Sequence, residues 1–436
     1  MTKPTGTEQL ALPAMVFLFA NITVKMGYAG SILLLASILP PDDYAGYGLL
    51  YALQTAATTL SVTGLIEITA GRLRHHTDSN RNKLFAHVTG LFAVTALATF
   101  VIALPVIAFV FWPKGYGAAA LAATVLGMIM GLGLLQASFH RIEERHMVSL
   151  LSSAGLPLAS LVGVLCAALW LPQLWIIFVL PSALTLFIIA ALFVLGKVPP
   201  VQFYDRRDLS HSLREIAPFG IVGLFSWLGG YGMSFVIEWQ FAPIAVASYI
   251  FLYTVAALGQ VVANSMNMVW SPRFYRLFNA GELVSAEVQS HRFFAVEAAF
   301  LGLAGLTAVA ALPLACNLIG GHLQIYGQYR WELAVLLASY AISIPAWHAQ
   351  NYYMVSGAGR ELMKASIWAA VVGLTVWIGS ILIFGEAAIY FGFTLQAGIR
   401  SLILWTMARS HWPLTAPWAA ILLAGGFPFL ALMLPG

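Results

Sequence analysis

Along most of the chain, apolar runs of about twenty residues alternate with short polar breaks, the length a helix needs to cross a bilayer core of ~30 Å at 1.5 Å per residue. Read this way, the sequence predicts about twelve spans, or thirteen if the apolar run at its end also crosses. The first covers Leu10–Leu39 and stops at Pro40-Pro41-Asp42-Asp43. Tyr44–Ala70, Leu84–Trp112, Gly117–Ala137, Val148–Leu171 and Leu174–Gly196 follow. The longest polar connection, Lys197–Glu215, reads as a linker between two halves. Beyond it lie Ile216–Glu238, Pro243–Trp270, Phe293–Leu318, Trp331–Val355, Ala365–Phe384 and Ala387–Met407, with a basic segment, Arg273–Arg292, before the third of these. The last apolar run, Ala416–Leu434, holds Gly425-Gly426 and Pro428, so it either crosses or only dips in. The expected organisation is a six-helix lobe in residues 1–196, a cytoplasmic linker in 197–215, a second six-helix lobe in 216–410 and an extra apolar segment in 411–436.

Composition supports the same class. Of 436 residues, 60% are hydrophobic and 9% charged, against about 25% charged in soluble domains. The expectation is an all-α polytopic membrane protein. Its basic loops alternate, and an N-terminus on the cytoplasmic side gathers about seventeen Lys and Arg there. Only Lys114 and Arg330 then fall in outer loops. The net charge of +4 therefore reads as a topology signal, with a secondary affinity for anionic membrane lipids and none for nucleic acid. The first span is too long for a cleaved signal peptide. Cys166 and Cys316 sit inside apolar runs and read as small core residues.

Spans one and two overlay spans seven and eight at a constant offset of 202 residues. Gly27 then meets Gly229, Gly30 meets Gly232, Pro41 meets Pro243, Tyr47 meets Tyr249, Tyr51 meets Tyr253 and Arg74 meets Arg276. Both copies start on the same side, so the halves form a parallel repeat about an axis along the membrane normal, an arrangement in which transporters hold substrate near the midplane.

Polar positions inside the spans are the candidate chemistry. Lys25 lies near the middle of the first span, where an ammonium costs at least ~2.5–3.5 kcal/mol. Asn21, Lys25 and Tyr28 share one helical face by their i, i+4, i+7 spacing. That face is expected to line an interior cavity, with Lys25 a fixed charge for an anionic substrate; the plainer alternative is a lysine that snorkels or pairs with a buried acid. Gln54, Thr58 and Ser61 form a polar stripe on span two, and Gln260, Asn264 and Asn267 form the same stripe on span eight. Each stripe can line a cavity or bond helices together. Arg400, with Gln396, is the second candidate anion site. Glu67, His87 and Glu297 lie near cytoplasmic span ends and can pair with interfacial arginines, Glu238 faces outer water, and His348 is a core histidine or a titrating group. For ion coupling the candidates are Glu67, Glu297 and His348.

No GxxxxGK[ST] loop, metal-spaced His/Cys/Glu set or nucleophile with a base on a large outer loop is present. The expectation is a transporter without catalytic residues, metal or cofactor.

Three stretches carry a resemblance. Pro41-Asp42-Asp43-Tyr44-Ala45-Gly46-Tyr47-Gly48 with Thr63-Gly64-Leu65-Ile66-Glu67, then Ser212-Leu213-Arg214-Glu215-Ile216-Ala217-Pro218-Phe219-Gly220, then Ser271-Pro272-Arg273-Phe274-Tyr275-Arg276 with Asn279-Ala280-Gly281-Glu282, resemble bacterial polysaccharide transporters in order and spacing. These are the oligosaccharide-lipid flippase branch of the multidrug/oligosaccharidyl-lipid/polysaccharide exporter superfamily. The resemblance implies two six-helix lobes with alternating access. It implies transfer of undecaprenyl-pyrophosphate-linked oligosaccharide across the bacterial inner membrane, and a cationic cavity for which Lys25 and Arg400 are the candidates. It also implies other polysaccharide-assembly proteins as partners. The alternatives are a cation-coupled multidrug exporter of the same superfamily, which needs intramembrane carboxylates, and a membrane polysaccharide polymerase or ligase, which needs a larger outer loop than this chain has.

Overall fold

The computed structural model describes Gly27, Gln202 and residues 29–73, 78–142, 146–170, 173–194 and 206–434. Asn21, Lys25 and Tyr28 lie outside the described residues. All regular structure among the described residues is helical, and eight helical stretches are long and apolar enough to cross a membrane. The chain is an all-α, multi-pass membrane protein. Its exposed surface fits that class: Phe109, Phe187, Leu318, Ile383 and Leu422 turn large apolar side chains outward, where acyl chains rather than water meet them.

The helices divide into two compact units. The first takes residues 1–31 and 49–227, the second 32–48 and 228–436. In the first unit, α1 (Ala29–Ile38) begins before the division, and α2 (Pro41–Leu73), α3 (Asp78–Val106), α4 (Gly117–Ile142), α5 (His146–Trp170), α6 (Leu174–Val194) and α7 (Arg206–Leu228) supply the bundle. The first residues of α2 group with the second unit. Pro105 ends α3's regular turns, and the chain continues as a π-helical turn over Ile107–Phe111 because proline has no N–H for the normal ladder. Around Val62, Leu65, Phe85, Val88, Leu91, Leu135 and Phe139 the core closes, with Phe85 stacked on Phe139. Helix α7 begins inside the stretch expected to be a linker: Arg206–Glu215 is helical. Its polar first turns extend an apolar helix whose inner face, at Ile216, lies against Gly64 of α2.

The second unit contains α8 (Met233–Gln240), α9 (Pro243–Asn279), α10 (Leu283–Ile319), α11 (Arg330–Ile342), α12 (Ile344–Val355), α13 (Gly359–Phe384), α14 (Ala388–Arg409) and α15 (Trp418–Leu430). Span seven is broken: Gly229-Gly230-Tyr231-Gly232 forms turns between α7 and α8, since three glycines in four residues weaken the helix. Span ten is broken at Ser343, just before Pro345, and Ser401 Oγ accepts the Ala346 N–H at 3.2 Å there. The expected basic loop Arg273–Arg292 is mostly helix, because α9 runs on to Asn279 and α10 begins at Leu283. Both are 37 residues long, about 55 Å at 1.5 Å per residue, so each extends beyond a bilayer core.

The final apolar run packs within this unit. It lies along α10, where Gly302 meets Ala424 and Phe427, and Gly305 meets Pro428. At one end Thr415 is bonded to Glu287, near the start of α10. At the other end Arg330, just beyond α10, donates to the carbonyl oxygens of Ala431 and of Leu434, the latter at 3.2 Å. The run therefore follows α10 from one end to the other.

Candidate functional site

In the first unit, the Gln54–Thr58–Ser61 stripe faces α4. Gln54 is buried and its amide donates to Met130 Sδ at 3.0 Å. Thr58 Oγ1 donates to the carbonyl of Gly127 at 2.9 Å. The helices can approach so closely because α4 offers glycines: a Cβ on Gly131 would stand 2.6 Å from Ser61 Oγ. Beside this seam, Trp227 Nε1 donates to the Ala52 carbonyl at 2.9 Å and to Thr55 Oγ1 at 3.2 Å. Trp227 is the repeat counterpart of Lys25 by the 202-residue offset. In this copy a donor at that position serves a helix seam.

The second stripe is divided. Gln260 and Asn264 are exposed. Asn267 pairs with Asn351 of α12, whose Nδ2 donates to Asn267 Oδ1 at 2.9 Å, and Ser271 Oγ reaches Asn351 Oδ1 at 3.4 Å. Amides exchange two hydrogen bonds in this arrangement and tie α9 to α12.

Arg400 is partly buried on α14, twelve residues, or about 18 Å, from that helix's start. One turn before it, Gln396 is buried where Gly373 of α13 makes room. Towards the start of α14 the interior is aromatic. Tyr253 packs edge-on to Tyr231 at 4.7 Å and to Phe393 at 5.5 Å, and stacks on Tyr249 at 5.5 Å. Tyr249 OH donates to the Gly230 carbonyl at 2.9 Å, so the glycine break between α7 and α8 is held by a phenol. Arg400 lies within electrostatic range of Tyr253. A guanidinium beside an aromatic wall suits an anionic group carried on an apolar body.

A further polar centre lies at the basic-loop end of the second unit. His348, 1% exposed on α12, holds Nε2 3.1 Å and 3.3 Å from the two carboxyl oxygens of Glu287. Tyr352 OH donates to the same carboxylate at 2.7 Å, as do Thr415 Oγ1 at 2.8 Å and the Thr415 N–H. An ionised carboxylate only accepts, so this geometry puts a ring proton on Nε2. Phe274 and Phe294 close over the imidazole, with ring centroids 6.2 Å and 4.8 Å away. Glu297, on the same face of α10, is 1% exposed, and neither carboxyl oxygen has a hydrogen-bond partner among the described residues. It does not pair with an interfacial arginine there. Glu67 falls within α2, its side chain outside the described residues, and Glu238 is partly buried.

Glu287, Tyr352, Thr415 and Asn351 are site residues that the sequence reading passed over. The signal for Glu287 was its spacing. Residues 287, 290, 294, 297 and 301 recur at helical intervals and all are buried, but the stretch read as a basic loop. Among the described residues no group of three or more His, Cys, Asp or Glu could hold a metal ion.

No family model matches the chain, and no curated protein matches it. Solved structures do. An inward-facing multidrug resistance transporter of the MATE family, in the MOP superfamily, aligns with TM-score 0.67 at 15% identity, over 90% of this chain and 97% of its own. An outward-facing structure with the same description aligns with TM-score 0.58 at 13% identity, over 92% and 94%. A crystal structure of MATE in complex with MaD3S aligns with TM-score 0.60 at 15% identity, over 91% and 95%. At such identities the likeness establishes architecture: the chain has the fold of MATE transporters, twelve membrane helices in two lobes, with α15 added along α10.

Proposed function

We propose that the chain is a secondary transporter that moves an amphipathic solute across a bacterial inner membrane by alternating access. One observation carries this reading: the fold is shared over nine-tenths of the chain with solved transporters in both inward-facing and outward-facing states. The basic-loop ends of the helices are assigned to the cytoplasm by the positive-inside rule.

For the solute, the neighbours favour the multidrug-exporter alternative over the lipid-linked oligosaccharide. Those neighbours are multidrug resistance transporters. The sequence argument against a cation-coupled exporter, which needs intramembrane carboxylates, was that the first span carries Lys25 instead; Glu287 and Glu297 are buried carboxyls of the second unit. A second reading, flipping of a lipid-linked oligosaccharide with its assembly proteins as partners, is favoured by Arg400 beside the aromatic wall and by the three resembling stretches. Lys25 and Tyr28 belong to that reading as well.

A deletion strain separates the two. The exporter reading expects greater susceptibility to cationic dyes with surface glycan intact, and dye uptake into everted vesicles carrying the chain. Loss of surface glycan with unchanged dye susceptibility would overturn it in favour of the flippase, and Arg400→Gln would then reproduce the glycan defect at equal protein level.

A further inference from the structure

Arg292 carries its charge where the surface of α10 is otherwise apolar. Val284 and Val288 precede it and Val296 and Phe300 follow it in a single i, i+4 row of the helix. All four are exposed, Val284 by 78%. Arg292 is exposed as well, and its guanidinium has no ion pair or hydrogen bond among the described residues. On a row that faces the bilayer, an unanswered cation is costly. The anion that a bilayer supplies at its edge is a lipid phosphate.

The structure also has room for a headgroup. An open pocket of about 390 Å³ lies against this row, walled by Val288, His291 and Arg292 of α10 and by Pro413 and Thr415 of the segment joining α14 to α15. Aromatic neighbours set that segment at headgroup depth. Arg409 stacks over Trp405 at 4.9 Å, and Trp405 meets Trp418 edge-on at 5.4 Å, an indole pair of the kind that settles at membrane–water boundaries. The acid in the pocket wall is already occupied. Glu287 accepts from His348, from Tyr352 and twice from Thr415, which fills the acceptor sites of its two oxygens. None is left for the ammonium of a zwitterionic headgroup. The rim offers Arg292 instead, beside His291, whose Nδ1 lies 3.4 Å from Thr415 Oγ1.

We propose that this pocket binds one anionic phospholipid. Its phosphodiester sits on the Arg292 guanidinium, its headgroup against His291 and Pro413, and its acyl chains along Val296 and Phe300. Bound there, the lipid joins α10 to the segment that leads into α15. The site follows from the membrane-spanning fold and holds whichever solute is carried. Only its placement in the cytoplasmic leaflet rests on the orientation proposed above.

Native mass spectrometry of the purified full chain, titrated in detergent with phosphatidylglycerol, phosphatidylcholine or inorganic phosphate, tests the site. The parent should retain one phosphatidylglycerol more tightly than any phosphatidylcholine. Arg292→Gln should weaken that first adduct at least about tenfold, through loss of a charge-assisted pair. Arg292→Lys should keep most of it, and Lys83→Gln, which removes an exposed cation of the first unit, should leave it unchanged. Val288→Glu sets an acid one turn from the guanidinium at an exposed position; it should weaken the adduct too, and it decides the matter if Arg292→Gln does not fold. Phosphatidylglycerol held equally by the parent and these two variants would overturn the site. Phosphatidylcholine held as tightly as phosphatidylglycerol would overturn the anionic preference, and displacement of the lipid by millimolar inorganic phosphate would assign the guanidinium to a soluble anion instead. None of these readouts involves a transported solute. Their failure leaves the transport reading standing, and failure of dye uptake leaves the lipid site standing.

Discussion

At the level of single residues, the Glu287 carboxylate is bound from α12 and from the start of the terminal run at once. It accepts from His348, Tyr352 and both the hydroxyl and amide of Thr415. Removing one partner leaves the others buried around an incomplete site, so His348→Ala should lower stability by about 2–4 kcal/mol. Thermal unfolding of the detergent-solubilised protein would read this as an earlier transition, and Val288→Ala on the exposed side of the same turn serves as a near-silent control. Asn351→Leu should cost about 1–3 kcal/mol, because it strands the amide of Asn267. These residues show how much of the site was legible. Arg400, Glu297 and His348 stood out because ionisable groups are rare in apolar runs. Glu287 did not, since a carboxylate among arginines looks like an exposed loop until the helix phase is known. Asn267 stood out as polar, but its partner Asn351, eighty-four positions away, could be assigned only once α9 and α12 were placed side by side.

At the level of helices, close approach depends on glycine and on the groups that tie helix ends. Gly127 and Gly131 bring α4 against the polar stripe of α2. A side chain on Gly127 would collide with the Gln54 carbonyl, so Gly127→Val should destabilise the first unit by about 1–3 kcal/mol or more through overpacking, with the loss visible in the folded yield on size-exclusion chromatography. The terminal helix α15 is fastened at both ends, by Glu287 at Thr415 and by Arg330 at Ala431 and Leu434. Arg330→Gln removes the charged donor and should free the far end first. Limited proteolysis should then cut beyond Phe429 faster than in the parent. Whether this run crossed or dipped was open in the sequence, because Gly425-Gly426 and Pro428 fit both. The structure packs it along α10, with Gly302 and Gly305 supplying room for Ala424 and Pro428. Breaks at Gly229–Gly232 and Ser343 were likewise hidden, since hydropathy averages over a turn and does not register a lost hydrogen bond.

For the whole molecule, one contact within the second unit joins positions that the sequence repeat pairs. Gly48 and Ile250 are matched by the 202-residue offset, and a Cβ on Gly48 would stand 2.6 Å from Ile250 Cγ1. Because the terminal run follows α10, a reporter fused after Leu434 should fall on the opposite side of the membrane from one inserted at Gly281; fusions active in the same compartment would show that the run does not cross. Hydropathy by itself determined the class and the approximate spans, because removing about twenty apolar side chains from water leaves a helix few alternatives to crossing the bilayer. Which polar residues meet was decided by tertiary structure alone. Helix phase, end-to-end registration and glycine-permitted approach set those meetings, and each depends on residues far apart in the chain. Thus the Gln54 stripe became a seam with α4, and a glutamate in an apparent loop became the partner of a buried histidine.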